Sequence, residues 1–294
     1  MENSNNGTPQ LADPWVSPDR SICKQITHPG EGLYTPNEGS IVTVCIKSVH
    51  IPQDVAAGQL YQYDCGNIEI TLGFPDTWCN ENIEKCIESM KPGEVCEVCF
   101  SRDHKTWDEF KDDEASKVVL RVTLKSVQRC TDLWEREPEL ILQMAQKCKD
   151  NGSRLFKEGN LEYASKHYSK ALKYLIILRG WDVSPELNEK IRSLSAVCYT
   201  NISLCLLRNG SYENVVRSCD KALEINPQDV KALFRRAKAN TELKNYDDAK
   251  MDLAKAEAKE PGNPDVKNLK KIVEERLKNS ESTIAAGMRK MFGS

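Results

Sequence analysis

The chain has little of what nucleic-acid-binding and membrane proteins depend on. Lys and Arg total 41 against 44 Asp and Glu over 294 residues, a formal net charge of -3, and the pI is about 5.9. A phosphate backbone would find no basic excess to bind. Long apolar runs are missing too: the longest in the second half, Tyr174 to Leu178, is far short of the roughly 20 residues that span a bilayer. Met1 to Pro9 has no apolar core of the signal-peptide kind, Glu2 stands where N-myristoylation needs glycine, and the closing Met-Phe-Gly-Ser is no prenylation signal. The expectation is a soluble protein of the cytoplasm, with the nucleus as a second compartment, that engages neither membrane nor nucleic acid.

Catalytic and cofactor patterns are equally scarce. The four histidines, His28, His50, His104 and His167, sit apart, and no nucleophile is spaced to partner them. His167, beside Tyr168, reads as a surface residue. Gly30-x-Gly32 and Gly58 read as turns, so no glycine-rich phosphate loop is present and no cofactor is expected. Cysteine, by contrast, is plentiful at 12 residues. Cys96 and Cys99 form one C-x-x-C, but the alternation through Val95, Val98 and Phe100 suggests a strand that points the two side chains to opposite faces. Without a second C-x-x-C no zinc site is completed, and no metal is expected. The cysteines read as small buried hydrophobes kept reduced.

What is present is a change of periodicity near residue 130. Residues 1–20 are polar, rich in Asn, Ser, Pro and Gly, and are expected to be disordered. Residues 21–130 carry strand signals at Ile41 to Ile46, Ile68 to Leu72, Val95 to Phe100 and Val118 to Val127. One helical stretch, Asn80 to Met90, is closed by Pro92-Gly93. An antiparallel sheet with one short helix, an α+β domain, is the expectation. Residues 131–144 read as a linker and helix start, and from Pro138 onward the pattern is helical. Ala222 and Ala256, Pro227 and Pro261, and Asn201 and Arg235 are each 34 positions apart. A 34-residue helix-turn-helix period with small residues at helix contacts and a closing Pro is the tetratricopeptide signature. The expected units are 145–178, 196–229 and 230–263. An insertion with Trp181 and Pro185 follows the first, and a capping helix occupies 264–294. The second helix of unit one, with Ile176 in place of its terminal Pro, is expected to run on toward Arg179.

Lys149, in Lys149-Asp150-Asn151-Gly152, Ser153, Asn201, and the pair in Lys231-Ala-Leu-Phe-Arg235-Arg236 fall at matching repeat positions. In this the helical half resembles the three-repeat tetratricopeptide domains of Hsp90 and Hsp70 co-chaperones. The resemblance implies a carboxylate clamp for the chaperones' C-terminal Glu-Glu-Val-Asp tail. It places Lys149, Ser153, Asn201, Lys231 and Arg235 at the clamp positions, with Ser153 standing where the family has Asn. Lys231 and Arg235, four apart, share a helix face. Charge-assisted bonds to the two carboxylates of a C-terminal Asp supply roughly 1.5–3 kcal/mol each. Arg236 reads as plain surface.

Pro36-x-Glu-Gly39-Ser-Ile-Val-Thr-Val, Ile68-x-Ile-Thr-Leu-Gly73, Ile87-Glu-Ser-Met-Lys-Pro-Gly-Glu94 and Val118-Val-Leu-Arg-Val-Thr-Leu fit in order over about 100 residues. Here the chain resembles an FK506-binding-protein (FKBP) type peptidyl-prolyl isomerase domain. That family uses a cup of aromatic side chains to desolvate a prolyl bond whose rotation barrier is about 18–20 kcal/mol. By the same resemblance the pocket positions hold Ile46, Ile83, Thr106 and Leu120, so the cup is stripped and catalysis is not expected. Trp78 and Trp107 lie close enough in sequence to refill part of it, and the pairing of Tyr61 and Tyr63 is open.

Residues 284–292 place Met288, Met291 and Phe292 on one face with Arg289 and Lys290 outside it. The readings are a cap on the repeat stack or a calmodulin-binding segment. The expected function is a non-catalytic adaptor that docks on Hsp90 or Hsp70, with the FKBP-like domain as a surface for a client or second partner. An active isomerase and a scaffold for an internal peptide are the alternatives.

Overall fold

The computed structural model describes residues 14–53, 55, 60–61, 63–64, 66–102, 107–110, 112–113 and 115–292. The chain divides into two units, Met1–Glu135 and Arg136–Ser294. The first is built on a sheet of six strands: β1 (Trp15–Val16), β2 (Cys23–His28), β3 (Ile41–His50), β4 (Asn67–Thr71), β5 (Val95–Ser101) and β6 (Lys117–Gln128). Their order is β1-β2-β5-β6-β3-β4, every pairing antiparallel. β1 corrects the sequence reading: Trp15–Val16, inside the stretch taken as disordered, pairs with Cys23 and Lys24. Two residues are too few to register as periodicity, and only the partner strand defines them.

Period-two alternation in the long strands sends Val42, Val44 and Ile46, then Cys96, Val98 and Phe100, then Val118, Leu120, Val122 and Leu124 to one face, each no more than 1 % exposed. Helix α1 (Trp78–Glu88) covers that face with Cys79, Ile83, Cys86 and Ile87. It starts where Thr77 caps it, accepting a hydrogen bond from the Asn80 amide. Burying each large aliphatic side chain contributes about 1.5–3 kcal/mol. A short helix α2 (Trp107–Phe110) and a 3-10 turn at Leu133–Glu135 complete the unit.

The second unit is helical throughout: α3 (Pro138–Lys157), α4 (Leu161–Arg179), α5 (Pro185–Arg208), α6 (Tyr212–Ile225), α7 (Val230–Glu242), α8 (Tyr246–Lys259) and α9 (Pro264–Phe292). Consecutive helices pack against one another. Proline opens α3 and α5, where its missing N–H costs nothing. α5 is long because it includes residues read as insertion; it begins at Pro185, well before residue 196. Small residues set the close approaches. Gly152 faces the Tyr168 ring so tightly that a Cβ would lie 2.8 Å from it, and Ala164, Ala171, Ala222, Ala232 and Ala256 are fully buried.

α9 corrects the capping expectation in part. Val266, Leu269 and Val273 join the core of the last repeat, and Lys270 and Arg276 bond Glu257 and Glu242. Beyond that, Ile284 and Met288 are each 57 % exposed and Met291 is 77 % exposed. The apolar face read as part of the cap is therefore uncovered by the described residues. Among those residues no helix is long and apolar enough to cross a membrane.

Candidate peptide-binding groove

The first helices of the three pairs, α3, α5 and α7, carry the five predicted residues. Asn201 and Lys231 line one cavity of about 590 Å³ together with Val197, Thr200, Asp229 and Lys259. Lys149 lines a neighbouring cleft of about 1060 Å³ between α3 and the N-terminal part of α5, with Leu142 and Leu194. Val197 borders both. Arg235 lies half-buried, and its Nη1 donates to the carbonyl of Thr200, the residue before Asn201. Burial pulls its guanidinium below the ordinary value. Among the described residues the Lys231 ammonium has no hydrogen-bond or ion-pair partner.

The other two predicted residues are engaged by the fold. The Lys149 ammonium pairs with Asp150 beside it, and Asp150 also accepts from Gln146 Nε2 at 2.9 Å. Burial works against ionisation of Asp150, yet these bonds hold its carboxyl below the ordinary value. Ser153 donates its single proton to the Lys149 carbonyl at 2.9 Å and accepts from the Tyr168 hydroxyl at 3.2 Å. Its hydroxyl thus joins α3 to α4 and gives the groove no proton.

Sequence reading missed Asp229 and Thr200, which fasten α5 to α7 beside the cavity. Asp229 caps α7, accepting from the Lys231 and Ala232 amides, and its other oxygen accepts from Thr200 Oγ1 at 2.8 Å. An Asp just before an apolar helical run is a cap signal that could have found it; the contact with Thr200 crosses 29 residues and left no sequence trace. Two readings are corrected here. Arg236 is not plain surface: it grips Asp252 through Nε and Nη2 at 2.8 and 2.6 Å, and Asp220 through Nη1 at 2.5 Å. It thereby ties α6, α7 and α8 together, and the paired carboxylates raise its affinity for the proton. His167 is not a surface residue either, being 3 % exposed inside α4. Around the groove, burial pushes the thiols of Cys198 and Cys219 up to about 12 and about 11, so both stay protonated at neutral pH.

In the sheet unit the expected pocket positions Ile46, Ile83 and Leu120 are all core, at 1 %, 0 % and 0 % exposure. Thr106 lies outside the described residues. Trp78 is half-buried, edge-on to Phe100 with centroids 5.5 Å apart. Tyr61 and Tyr63 pack on the core margin. The Tyr61 hydroxyl donates to buried Glu84, whose second oxygen accepts from the Gly73 amide at 2.6 Å. The Tyr61 amide donates to Asn80 Oδ1 at 2.7 Å. Burial and the Glu84 charge raise the Tyr61 phenol far above its ordinary value, so this tyrosine stays a neutral donor.

An FKBP-like sheet followed by helix pairs of the tetratricopeptide kind defines the tetratricopeptide-bearing immunophilins. A tetratricopeptide repeat family model matches residues 206–272. The human protein named FK506-binding protein-like is 33 % identical over 289 residues, 97 % of this chain and 74 % of its own length. The chain belongs to the FK506-binding protein-like family. Bovine peptidyl-prolyl cis-trans isomerase FKBP4 is 27 % identical over 266 residues, 88 % of this chain and 56 % of its own length. Among solved structures, residues 1-211 of CG17282 superpose with a TM-score of 0.55 at 17 % identity, covering 70 % of this chain and 98 % of that one, a likeness of fold.

Proposed function

We propose that the chain is a non-catalytic co-chaperone whose repeat groove binds the free C-terminal Glu-Glu-Val-Asp tail of Hsp90 or Hsp70. The observation that carries this reading is the shared cavity of Asn201 and Lys231, with the Lys231 ammonium unpartnered among the described residues. A carboxylate entering there meets an amide donor and an ammonium, with the Arg235 guanidinium on the adjacent turn. Asp229 lines the same cavity, but its oxygens already accept from two amides and a hydroxyl. A chain-terminal Asp supplies two carboxylates a few ångströms apart, which is why the reading requires a free end. The tail must also draw Lys149 away from Asp150 to recruit it.

Calorimetry of the full chain with a free-acid Met-Glu-Glu-Val-Asp peptide tests the clamp. Binding is expected for the acid and lost for the C-terminal amide. The Lys231→Ala/Arg235→Ala variant is expected to lose at least tenfold in affinity. Equal binding of acid and amide would instead favour a scaffold for internal peptides.

For the sheet unit the proposed role is a surface for a client or second partner, without isomerase activity. Aliphatic side chains fill the three described pocket positions, Ile46, Ile83 and Leu120, and Tyr61 and Glu84 satisfy each other. A protease-coupled proline-peptide assay should show no rate above background; a measurable rate would restore the enzyme reading. The exposed face of Ile284, Met288 and Met291 supports calmodulin as a further partner, and calcium-dependent retention on calmodulin resin, lost in Met288→Glu, is the test.

A further inference from the structure

The described cysteines are all free thiols, yet two pairs in the sheet unit touch. Cys86 Sγ and Cys96 Sγ lie 3.6 Å apart in the core, both with no exposure. Cys23 and Cys99 are register partners on β2 and β5, in a cross-strand row that runs Val16, Cys23, Cys99, Val119. Cys23 is buried and Cys99 half-buried, so solvent reaches the second pair through Cys99.

Directly opposed residues on antiparallel strands have Cα atoms about 4.5–5.5 Å apart, within the roughly 4.4–6.8 Å that disulfides span. We propose that Cys23 and Cys99 form an oxidisable dithiol, which a hydroperoxide converts to a disulfide joining β2 to β5. The thiolate of the pair attacks the hydroperoxide oxygen, the O–O bond breaks, and the alkoxide leaves as alcohol after taking a proton. The resulting sulfenic acid is attacked by the second thiol, an S–S bond forms, and water departs with the remaining proton. Two thiols are oxidised as one hydroperoxide is reduced to alcohol and water.

Chemistry separates this pair from the other. The hydrogen bond from Cys99 favours the Cys23 thiolate; burial opposes it, and the Lys117 ammonium adds to the favourable side, leaving Cys23 below the ordinary thiol range. Cys86 is driven the other way by its bond with Cys96 and by burial. Proximity alone would make both pairs equal; thiolate character and access select Cys23 and Cys99. The bond would tie the two-strand edge β1-β2 covalently to the body of the sheet.

The test treats the full chain with tert-butyl hydroperoxide, alkylates under denaturing conditions, and maps a non-reducing digest by mass spectrometry. A linked peptide pair containing Cys23 and Cys99 is expected, two hydrogens lighter than the separate peptides and released by dithiothreitol. Cys23→Ser and Cys99→Ser should each remove it, while Cys86→Ser leaves it. A dominant Cys86–Cys96 link would overturn the proposal. So would full alkylation of Cys23 and Cys99 at every oxidant level that leaves the fold intact. The wild-type map decides this even where a serine variant folds poorly.

Discussion

The two units treat their charges in opposite ways. Under the helix of the sheet unit, polar groups are consumed internally. Lys24, 2 % exposed, donates to Glu94 at 2.8 Å and to Ser89 Oγ at 2.9 Å, and Glu94 also accepts from the Lys91 amide. Tyr61 and Glu84, the latter on α1, do the same. In the helical unit the groove keeps Lys231 open, while Arg236, five residues on, is fully spent on Asp220 and Asp252. A charge already satisfied by its fold has little to offer a ligand, whereas an open one next to a cavity is free to pair with an opposite charge. Two arginines side by side make the point within one helix: Arg235 reaches a backbone carbonyl at the groove, and Arg236 holds three helices together.

The largest expected effect comes from breaking the internal pair. Lys24→Met leaves Glu94 buried and unpaired and should cost the sheet unit about 3–5 kcal/mol, measured by urea denaturation or hydrogen exchange. Adding Glu94→Gln should recover most of that loss; a single-variant cost below about 1 kcal/mol would show that the pair is not held by burial. Next, Arg236→Ala should destabilise the helical unit by about 2–3 kcal/mol, because Asp252 keeps its burial and loses a bidentate charged partner. Arg235→Ala should barely move stability while lowering peptide affinity. If the two arginines give the same profile in both assays, the division between holding and binding fails.

Gly152→Ala drives a methyl against the Tyr168 ring and should cost about 1–3 kcal/mol. The same thermal melt should show rescue when Tyr168 is shortened to Leu. Asp150→Asn frees Lys149 from a mostly exposed pair worth about 0.2–1 kcal/mol, so affinity for the free-acid peptide should rise no more than a few-fold. The smallest effect is a pH dependence in the sheet unit. Burial works against ionised Asp19, but Lys85, Ser17 and Ser21 hold its carboxyl well below the ordinary 3.8. Its stabilisation is complete above that ordinary value and fades as pH falls below it toward the folded-state value. Asp19→Asn should flatten the acid limb of the stability curve slightly, since the residue is largely exposed.

How much of this was legible in the chain depended on range. Ile41 to Ile46 and Val118 to Val127 announce their strands through local alternation, and the 34-residue spacing of Ala222 and Ala256 announces the helix pairs. The placement of Lys149, Asn201, Lys231 and Arg235 on the first helices of the pairs was legible for the same reason, because Asn201 and Arg235 repeat at that period. Arg236 was not, since the carboxylates that claim it lie 16 residues away on either side. His167, beside Tyr168, read as a surface residue, whereas its burial is decided by the packing of α4. Ile46, Ile83 and Leu120 come from three elements; only the folded sheet shows that their side chains join one core.

The long last helix has a mechanical consequence. α9 is anchored as far as Arg276 through its bond with Glu242. The remaining 16 residues to Phe292 (292 − 276), at about 1.5 Å each, form an arm of roughly 24 Å. A tilt of only about 10° at the anchor would carry the tip by roughly 4 Å over such an arm. Small changes in how the last repeat packs are therefore geared up into a displacement as wide as a side chain at Met288 and Met291.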